Sequence, residues 1–505
     1  MNNLLYSKLF GVHREQKSPF LSCPDGTKFS YEDFIALASK FAHVLTGMGV
    51  SPGDRLLVHV QKSPESLALY AACIQTGIIY LPLNFAYTVK ELTYFIEDSQ
   101  PALVVCDENN QYSLSAITDD LGIRLATLNQ DGSGSLPENA QGMPCNFPTV
   151  PRDLDDLAVI LYTSGTTGFP KGAMLTQENL LSNAQVLKKE WQFDSQDVLL
   201  HALPLFHSHG LFVATNVTLL AGGSMIFLPK FSLDQIIEYL PQATTMMGVP
   251  TFYTRLLNSS WLTKELTKEI RLFISGSAPL LAETHIQFKE RTGHSILERY
   301  GLTETSMNSS NPYDGERRPG TVGFPLPGID VKITEPESGK PVQSGTVGQI
   351  EIRGPNVCKG YWQKPSKIAE DFRQDGFFIT GDLGKFDSDG YLHIVGRHKD
   401  LIISGGYNIY PKEIELVIDK QPGVLESAVI GVPHADLGES VLALIVPGNN
   451  TSPDLEQINS AMVASLARFK LPKKLLLIDE LPRNTMGKVQ KNVLRDRYKH
   501  LLNPS

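Results

Sequence analysis

The sequence predicts an α/β chain: a large N-terminal domain of packed, mostly parallel sheets with helices, a small β subdomain, and a small C-terminal α+β domain. Three observations predict it. Over residues 27–106, apolar runs of strand length alternate with single helices, the pattern of a parallel sheet covered on both faces. Over 320–360 the pattern turns to short strands punctuated by Gly and Pro. At Gly396-Arg397-His398-Lys399-Asp400 a mostly charged break separates two apolar strands, and the residues beyond it carry strands and helices of their own. A chain of 505 residues needs more than one core. The division expected is 1–396, a link at 397–400, and 401–505.

The elements run in order along the chain. Ser30 caps a helix to about Gly47, with Asp33 three residues on. Residues 55–60 form a strand. Ser63-Pro64 is an N-cap with proline at the first helical position, and that helix stops near Gly77. Residues 78–83 form a strand. Thr88-Val89-Lys90-Glu91 is a capping box for a helix to about Ser99, and 102–106 is another strand. Residues 107–152, rich in Asn, Asp, Gly, Ser and Pro, read as surface loops with one more short strand and helix. Strands at 157–161 and 172–175 precede a helix capped by Thr176 and running through Lys189. A strand at 198–203 ends in Pro204-Leu205-Phe206-His207-Ser208-His209-Gly210. Alternation resumes through Met247, 271–275 and 295–300. The β subdomain holds strands 331–333 and 349–353. The last domain shows helix 411–420, strands 426–432 and 441–447, and helix 454–468.

The net charge of -9 and the lack of a Lys/Arg run argue against nucleic acid or an acidic membrane as partner. Cys23, Cys73, Cys106, Cys145 and Cys358 are scattered, odd in number and without a CxxC pair, which fits free thiols in a reducing compartment. No apolar run reaches membrane-spanning length, and the first twenty residues hold no signal-type apolar core. A cytoplasmic location is expected.

The most telling stretch is Tyr162-Thr163-Ser164-Gly165-Thr166-Thr167-Gly168-Phe169-Pro170-Lys171-Gly172. Glycines let backbone N–H groups turn inward, hydroxyls add donors and the lysine adds charge, a set suited to a polyphosphate. It is not the common P-loop, in which Gly-Lys-Ser/Thr opens a helix. A polar hairpin turn is the other reading.

Six stretches fall in one register: the loop above, Ser275-Gly276-Ser277-Ala278-Pro279, Arg299-Tyr300-Gly301-Leu302-Thr303-Glu304, Thr380-Gly381-Asp382, Gly396 to Asp400, and Asn484-Thr485-Met486-Gly487-Lys488. Together they resemble the adenylate-forming acyl-CoA synthetases, over nearly the whole chain. The segments 203–212, 247–257, 298–312 and 481–491 resemble the malonyl-CoA synthetases among them. The resemblance implies two half-reactions. ATP and a carboxylate give an acyl-adenylate and pyrophosphate; the thiol of coenzyme A then displaces AMP. A small mobile C-terminal domain rotates between them.

The resemblance also implies roles. Thr163, Ser164, Gly165, Thr166, Thr167, Gly168 and Lys171 would hold the phosphates of ATP. Glu304, with Thr163, would hold Mg²⁺. Gly276, Ser277, Ala278, Glu298, Tyr300, Gly301 and Thr303 would surround the adenine and α-phosphate, with Tyr300 offering a stacking face. Asp382 would accept from both ribose hydroxyls, as an ionised carboxylate can. Arg397 would reach ribose or phosphate, and Lys399 would be the hinge residue. Lys488 would catalyse adenylation as a point charge bridging carboxylate and α-phosphate. His207 would act at the acyl carbonyl, and Gly405-Gly406 would let the pantetheine arm of coenzyme A pass. His209 is not at metal-ligand spacing with any Cys or carboxylate. Read without the family, Thr-x-Glu is a surface turn and Lys488 part of a solvated basic run. In such an exposed run a lysine acetyltransferase would silence adenylation by removing the charge of Lys488.

The acid is read from charge. Arg299 stands before Tyr300-Gly301, where a small or uncharged residue is common in the family, and Arg255 lies at i,i+4 from Thr251 in the acyl-pocket segment. Two arginines imply a second carboxylate on the substrate, with Ser208 and Ser277 as hydroxyl donors and Met307 as an apolar wall. Malonate is expected, then methylmalonate. The other reading pairs each arginine with a local acid. Ligation of an aryl or medium-chain acid, luciferase-like oxidation, delivery to a carrier protein and a catalytically dead homologue are the competing functions.

Overall fold

A computed structural model describes residues 3–163, 170–405, 407–434, 437–448, 452–484 and 487–502. The first sheet runs in the order Arg124–Thr127, Leu103–Cys106, Arg55–His59, Ile79–Pro82, Leu157–Thr163, Lys171–Thr176. All neighbours are parallel except the last pair, an antiparallel hairpin with Thr163 opposite Lys171. Leu103–Cys106 and Ile79–Pro82 are buried at every position, as strands covered on both faces must be.

The helices start where their caps dictate. Ser30 with Asp33, Ser63 with Ser66, Thr88 with Glu91 and Thr176 with Asn179 each close a reciprocal capping box, ahead of Tyr31–Gly47, Pro64–Thr76, Val89–Ser99 and Gln177–Glu190. Each cap is worth about 1 kcal/mol. Gly77, at φ 74, ends the second of these helices in a left-handed turn.

The second sheet has nine strands, in the order Phe324–Pro325, Ser306–Ser310, Leu297–Leu302, Leu272–Ser275, Thr245–Gly248, Val198–His201, Ser224–Phe227, Pro19–Ser22, Lys28–Ser30. Its middle is parallel and both edges antiparallel. After Val198–His201 the chain enters a buried turn of π-helix, His209–Asn216. Such turns are frequent at functional sites. A four-stranded antiparallel sheet comes next: Asp330–Thr334, Gly348–Arg353, Phe378–Phe386, Leu392–Arg397.

The short helical turn His398–Asp400 then leads to a last sheet, Tyr407–Ile409, Ile402–Ser404, Gly438–Pro447, Val424–His434, with Lys474–Leu477 parallel to Gly438–Pro447. Its side chains alternate between two cores, Val429, Val441 and Ala443 on one face and Ile430, Leu442 and Leu444 on the other.

Two expectations need correction, and one element was not foreseen. Residues 107–152 hold a helix of 13 residues, Glu108–Asp120, besides Arg124–Thr127 and Ser135–Asn139. Only Leu114 and Thr118 of that helix are buried, too narrow a stripe to read. The β subdomain extends to Arg397 instead of ending near 360, and its last strand runs into the charged break. The first residues form a helix, Leu4–Leu9, that was not expected.

Candidate active site

Arg299 lies on the strand Leu297–Leu302 and is 3% exposed. Its guanidinium rests on the bare α-carbon of Gly276, where a Cβ would overlap it. Nε and Nη2 are buried without a hydrogen-bond partner. Burial lowers its pKa to about 9, so it is a cation at neutral pH. Glu298 makes no direct ion pair with it, although each lies in the other's field: the Glu298 Oε1 accepts from the Leu280 N–H at 3.0 Å, and burial pushes the Glu298 pKa up to about 7. Among the described residues Arg299 therefore has no ion pair, and the local-acid reading falls for it. A buried cation with no partner is costly, so a fold that keeps one is shaped for an anion.

The residue after Gly276, Ser277, holds a left-handed backbone at φ 71, and its Oγ lies 3.2 Å from His209 Nδ1. His209 Nε2 is buried and unpartnered. Burial and then Arg299 lower the pKa of both histidines, His207 to about 4 and His209 well below its ordinary value. Both rings are neutral at pH 7 and serve as hydrogen-bonding or packing groups. Ser208 is buried, and Met307 packs on Gly301, where a Cβ would meet its Cε.

Arg255 departs from expectation. On the helix Pro250–Leu257 it faces solvent, with its guanidinium 5.5 Å from the Phe231 ring centroid. The helix buries Phe252, Tyr253 and Leu256, and Arg255 lies on the other side of that stripe.

Other expected residues gather around Asp382. Its Oδ2 accepts from the Tyr300 hydroxyl at 2.6 Å, and its Oδ1 pairs with Arg397 Nε at 2.8 Å, the residue opposite in the antiparallel ladder. Thr380 Oγ1 accepts from the Asp382 N–H at 3.0 Å. Glu304 comes after Thr303 in the turn between Leu297–Leu302 and Ser306–Ser310. Its carbonyl accepts from the Cys358 N–H at 2.7 Å and its carboxylate from the Tyr361 hydroxyl at 3.2 Å. Burial raises the Glu304 pKa. Lys171 is buried and pairs with Asp371. Ala278 is half-buried in the turn after Leu272–Ser275. Ser164, Gly165, Thr166, Thr167 and Gly168 lie outside the described residues, as does Gly406.

Lys488 reaches this group from the C-terminal side. Its N–H donates to Asn484 Oδ1 at 2.9 Å and its carbonyl accepts from the Asn484 N–H at 3.0 Å, tying the two residues together. Gly487, at φ 73, sits so close to Thr251 that a Cβ would lie 3.2 Å from it. Gly487 thus packs on the helix Pro250–Leu257. Lys488 is half-buried, not exposed as the basic run implied. Burial, and after it Arg397, lower its pKa to about 8, with Asp382 opposing. Lys399 is exposed, and neighbouring Asp400 pairs with Arg495 at 2.7 Å. Gly405, at φ 55, is exposed.

Residues 11–362 match the AMP-binding enzyme family, and residues 413–488 match the AMP-binding enzyme C-terminal domain. The chain belongs to the AMP-binding enzymes. It is similar to MatB from Rhodopseudomonas palustris, solved with ATP bound: 54% identical, all of both chains covered, TM-score 0.97. It is 35% identical to a malonate–CoA ligase of Arabidopsis thaliana, over 89% of this chain and 79% of the relative. It is 34% identical to a feruloyl-CoA synthase of an Amycolatopsis species, over 96% of this chain and 98% of the relative.

Within this AMP-binding enzyme, sequence reasoning missed Tyr361, which touches Glu304, and Asp371, which holds Lys171. Asp371 lies 200 residues from Lys171, and no local pattern announces such a pair. Gly276 was assigned to the base, and its contact with Arg299 was not foreseen. No helix among the described residues is long and apolar enough to cross a membrane, and they contain no metal-ligating cluster.

Proposed function

We propose that this enzyme is a malonyl-CoA synthetase: it joins malonate to coenzyme A through malonyl-adenylate, with release of pyrophosphate and AMP. The observation that carries the choice of acid is Arg299, a buried cation with Nε and Nη2 unpartnered. A monoacid such as acetate leaves that guanidinium unpaired, at roughly 2–5 kcal/mol. Likeness to MatB supports the same reading. Among the curated relatives alone identity does not choose, since a malonate and a feruloyl ligase are 35% and 34% identical to this chain.

In this reading Arg299 grips the distal carboxylate, with Ser208 and Ser277 as donors, Met307 as wall, and Arg255 at the outer edge. His207, neutral, lies by the reacting carbonyl. Tyr300, Gly276, Ala278, Glu298, Gly301 and Thr303 line the nucleotide, Asp382 takes the ribose, Arg397 steadies both, and Lys171 meets the phosphates with the 163–168 loop. Glu304 fits Mg²⁺ with Thr163: it is a half-buried carboxylate whose charge desolvation disfavours, and Mg²⁺ takes oxygen donors. The ion would neutralise phosphate charge. The small domain would turn at Lys399 within 397–400, replacing Lys488 in the cleft by Gly405 and Gly406 for the coenzyme A step. Five free cysteines fit a cytoplasmic setting.

The test is AMP release with ATP, Mg²⁺ and a panel of acids, with and without coenzyme A. Release that requires both malonate and coenzyme A supports the proposal; release with an aryl or fatty acid and none with malonate contradicts it.

Two further results are expected. Gly276→Ala pushes the Arg299 guanidinium off its seat, and kcat/KM for malonate should fall about tenfold or more, with an overpacking cost to stability of about 1–3 kcal/mol. The adenylation rate should fall as pH rises through about 8. Lys488 acts as a cation, and its pKa is lowered to about 8 by burial, so the active form dominates below that pH and is lost above it. A profile of kcat/KM flat to pH 10 contradicts the assignment.

A further inference from the structure

The Lys171 amine pairs with Asp371 Oδ2 at 3.1 Å and stands 4.3 Å from the Tyr361 ring centroid. The backbone on both sides is pinned. The Pro170 carbonyl accepts from the Tyr94 hydroxyl at 2.8 Å and from Lys364 Nζ at 3.4 Å. The Gly172 carbonyl accepts from the Trp362 N–H at 2.8 Å. The side chain of Lys171 is therefore the part left to move. It is 10% exposed and that of Asp371 26%, so the pair stands mostly out of water, where a lone ammonium is costly.

Helix stability does not account for Asp371. It is the last residue of Pro365–Asp371 and comes after Glu370, and carboxylates at a helix C-terminus face the negative end of its dipole. Tyr361 links the pair to Glu304 through a 3.2 Å hydrogen bond. One lysine thus stands beside two carboxylates in the place where the proposed function puts a polyphosphate.

We propose that Asp371 is the counter-ion from which the ATP phosphates take Lys171, and to which Lys171 returns as pyrophosphate leaves. With the phosphates bound, the Asp371 carboxylate loses its partner and repels the anion beside it. The repulsion weakens ATP binding and hastens the departure of pyrophosphate. Asp371 is then a positioning residue that acts through Lys171 and trades nucleotide affinity for product release. The inference rests on the reading of Lys171 as a phosphate ligand.

Asp371→Asn removes the charge and keeps the shape. KM for ATP and the inhibition constant for pyrophosphate should both fall, about fivefold or more, with KM for malonate unchanged within about twofold. Asp371→Glu should restore both constants. Any result other than a fall in both with Asp371→Asn overturns the proposal. Lys171→Ala separates the two levels of the claim. If it leaves KM for ATP unchanged, the reading of Lys171 has failed; if it raises KM while Asp371→Asn changes nothing, only the counter-ion role has failed.

Discussion

Lys488→Ala should lower the rate of malonyl-adenylate formation about 10²- to 10³-fold, the usual cost of removing one preorganised donor from developing charge. Thioester formation from supplied malonyl-adenylate and coenzyme A should continue at close to the normal rate. Lys488 follows Gly487, which packs on Thr251, and its amine stands in the field of Arg397 and Asp382. The lysine belongs to the state in which Gly405 is exposed. In the proposed cycle the small domain would turn, the charge would leave and the second half-reaction would proceed without it. Lys488→Arg should not rescue: the guanidinium is broader, and Gly487 packed against Thr251 leaves the backbone there no room to retreat. ATP–pyrophosphate exchange reads the first half-reaction and AMP release from synthetic adenylate reads the second. Equal loss in both sinks the role.

Arg299→Gln should lower kcat/KM for malonate roughly 10²- to 10³-fold, the consequence of losing a buried, charge-assisted contact. KM for ATP should stay within about twofold, since Arg299 makes no contact with Asp382 or Glu304. Activity with acetate should hold or rise, because glutamine leaves no buried cation to satisfy. Arg255→Ala should cost less, as its guanidinium faces solvent over Phe231. A variant at Arg299 that keeps the malonate-over-acetate preference would falsify the dicarboxylate reading.

What was legible in the sequence is what is local. The capping pairs Ser30–Asp33 and Thr88–Glu91 and the Ser63-Pro64 start each act within one turn, and the helices begin there. Strand order is set by long-range pairing and was not legible, nor was the length of the helix Glu108–Asp120, which buries only Leu114 and Thr118. At the site the same division holds. Arg299 announced itself as a charge where an uncharged residue is common, and it is buried as that implied. Arg255 was read from its place in the acyl-pocket segment, yet helix phase turns it outward. What supports Arg299, the missing Cβ of Gly276, and what holds Lys171, the distant Asp371, exist only once the chain has folded.

The central claim, that a buried unpaired guanidinium selects a second carboxylate, is tested most directly by competition. The enzyme is given ATP, Mg²⁺, coenzyme A and equal concentrations of malonate, methylmalonate, acetate and benzoate, and the thioesters are counted by mass spectrometry at low conversion. Malonyl-CoA should dominate, with methylmalonyl-CoA second and acetyl-CoA at least about 30-fold below malonyl-CoA, the lower end of the cost of stranding Arg299. Acetyl-CoA or benzoyl-CoA in comparable amount would contradict the account.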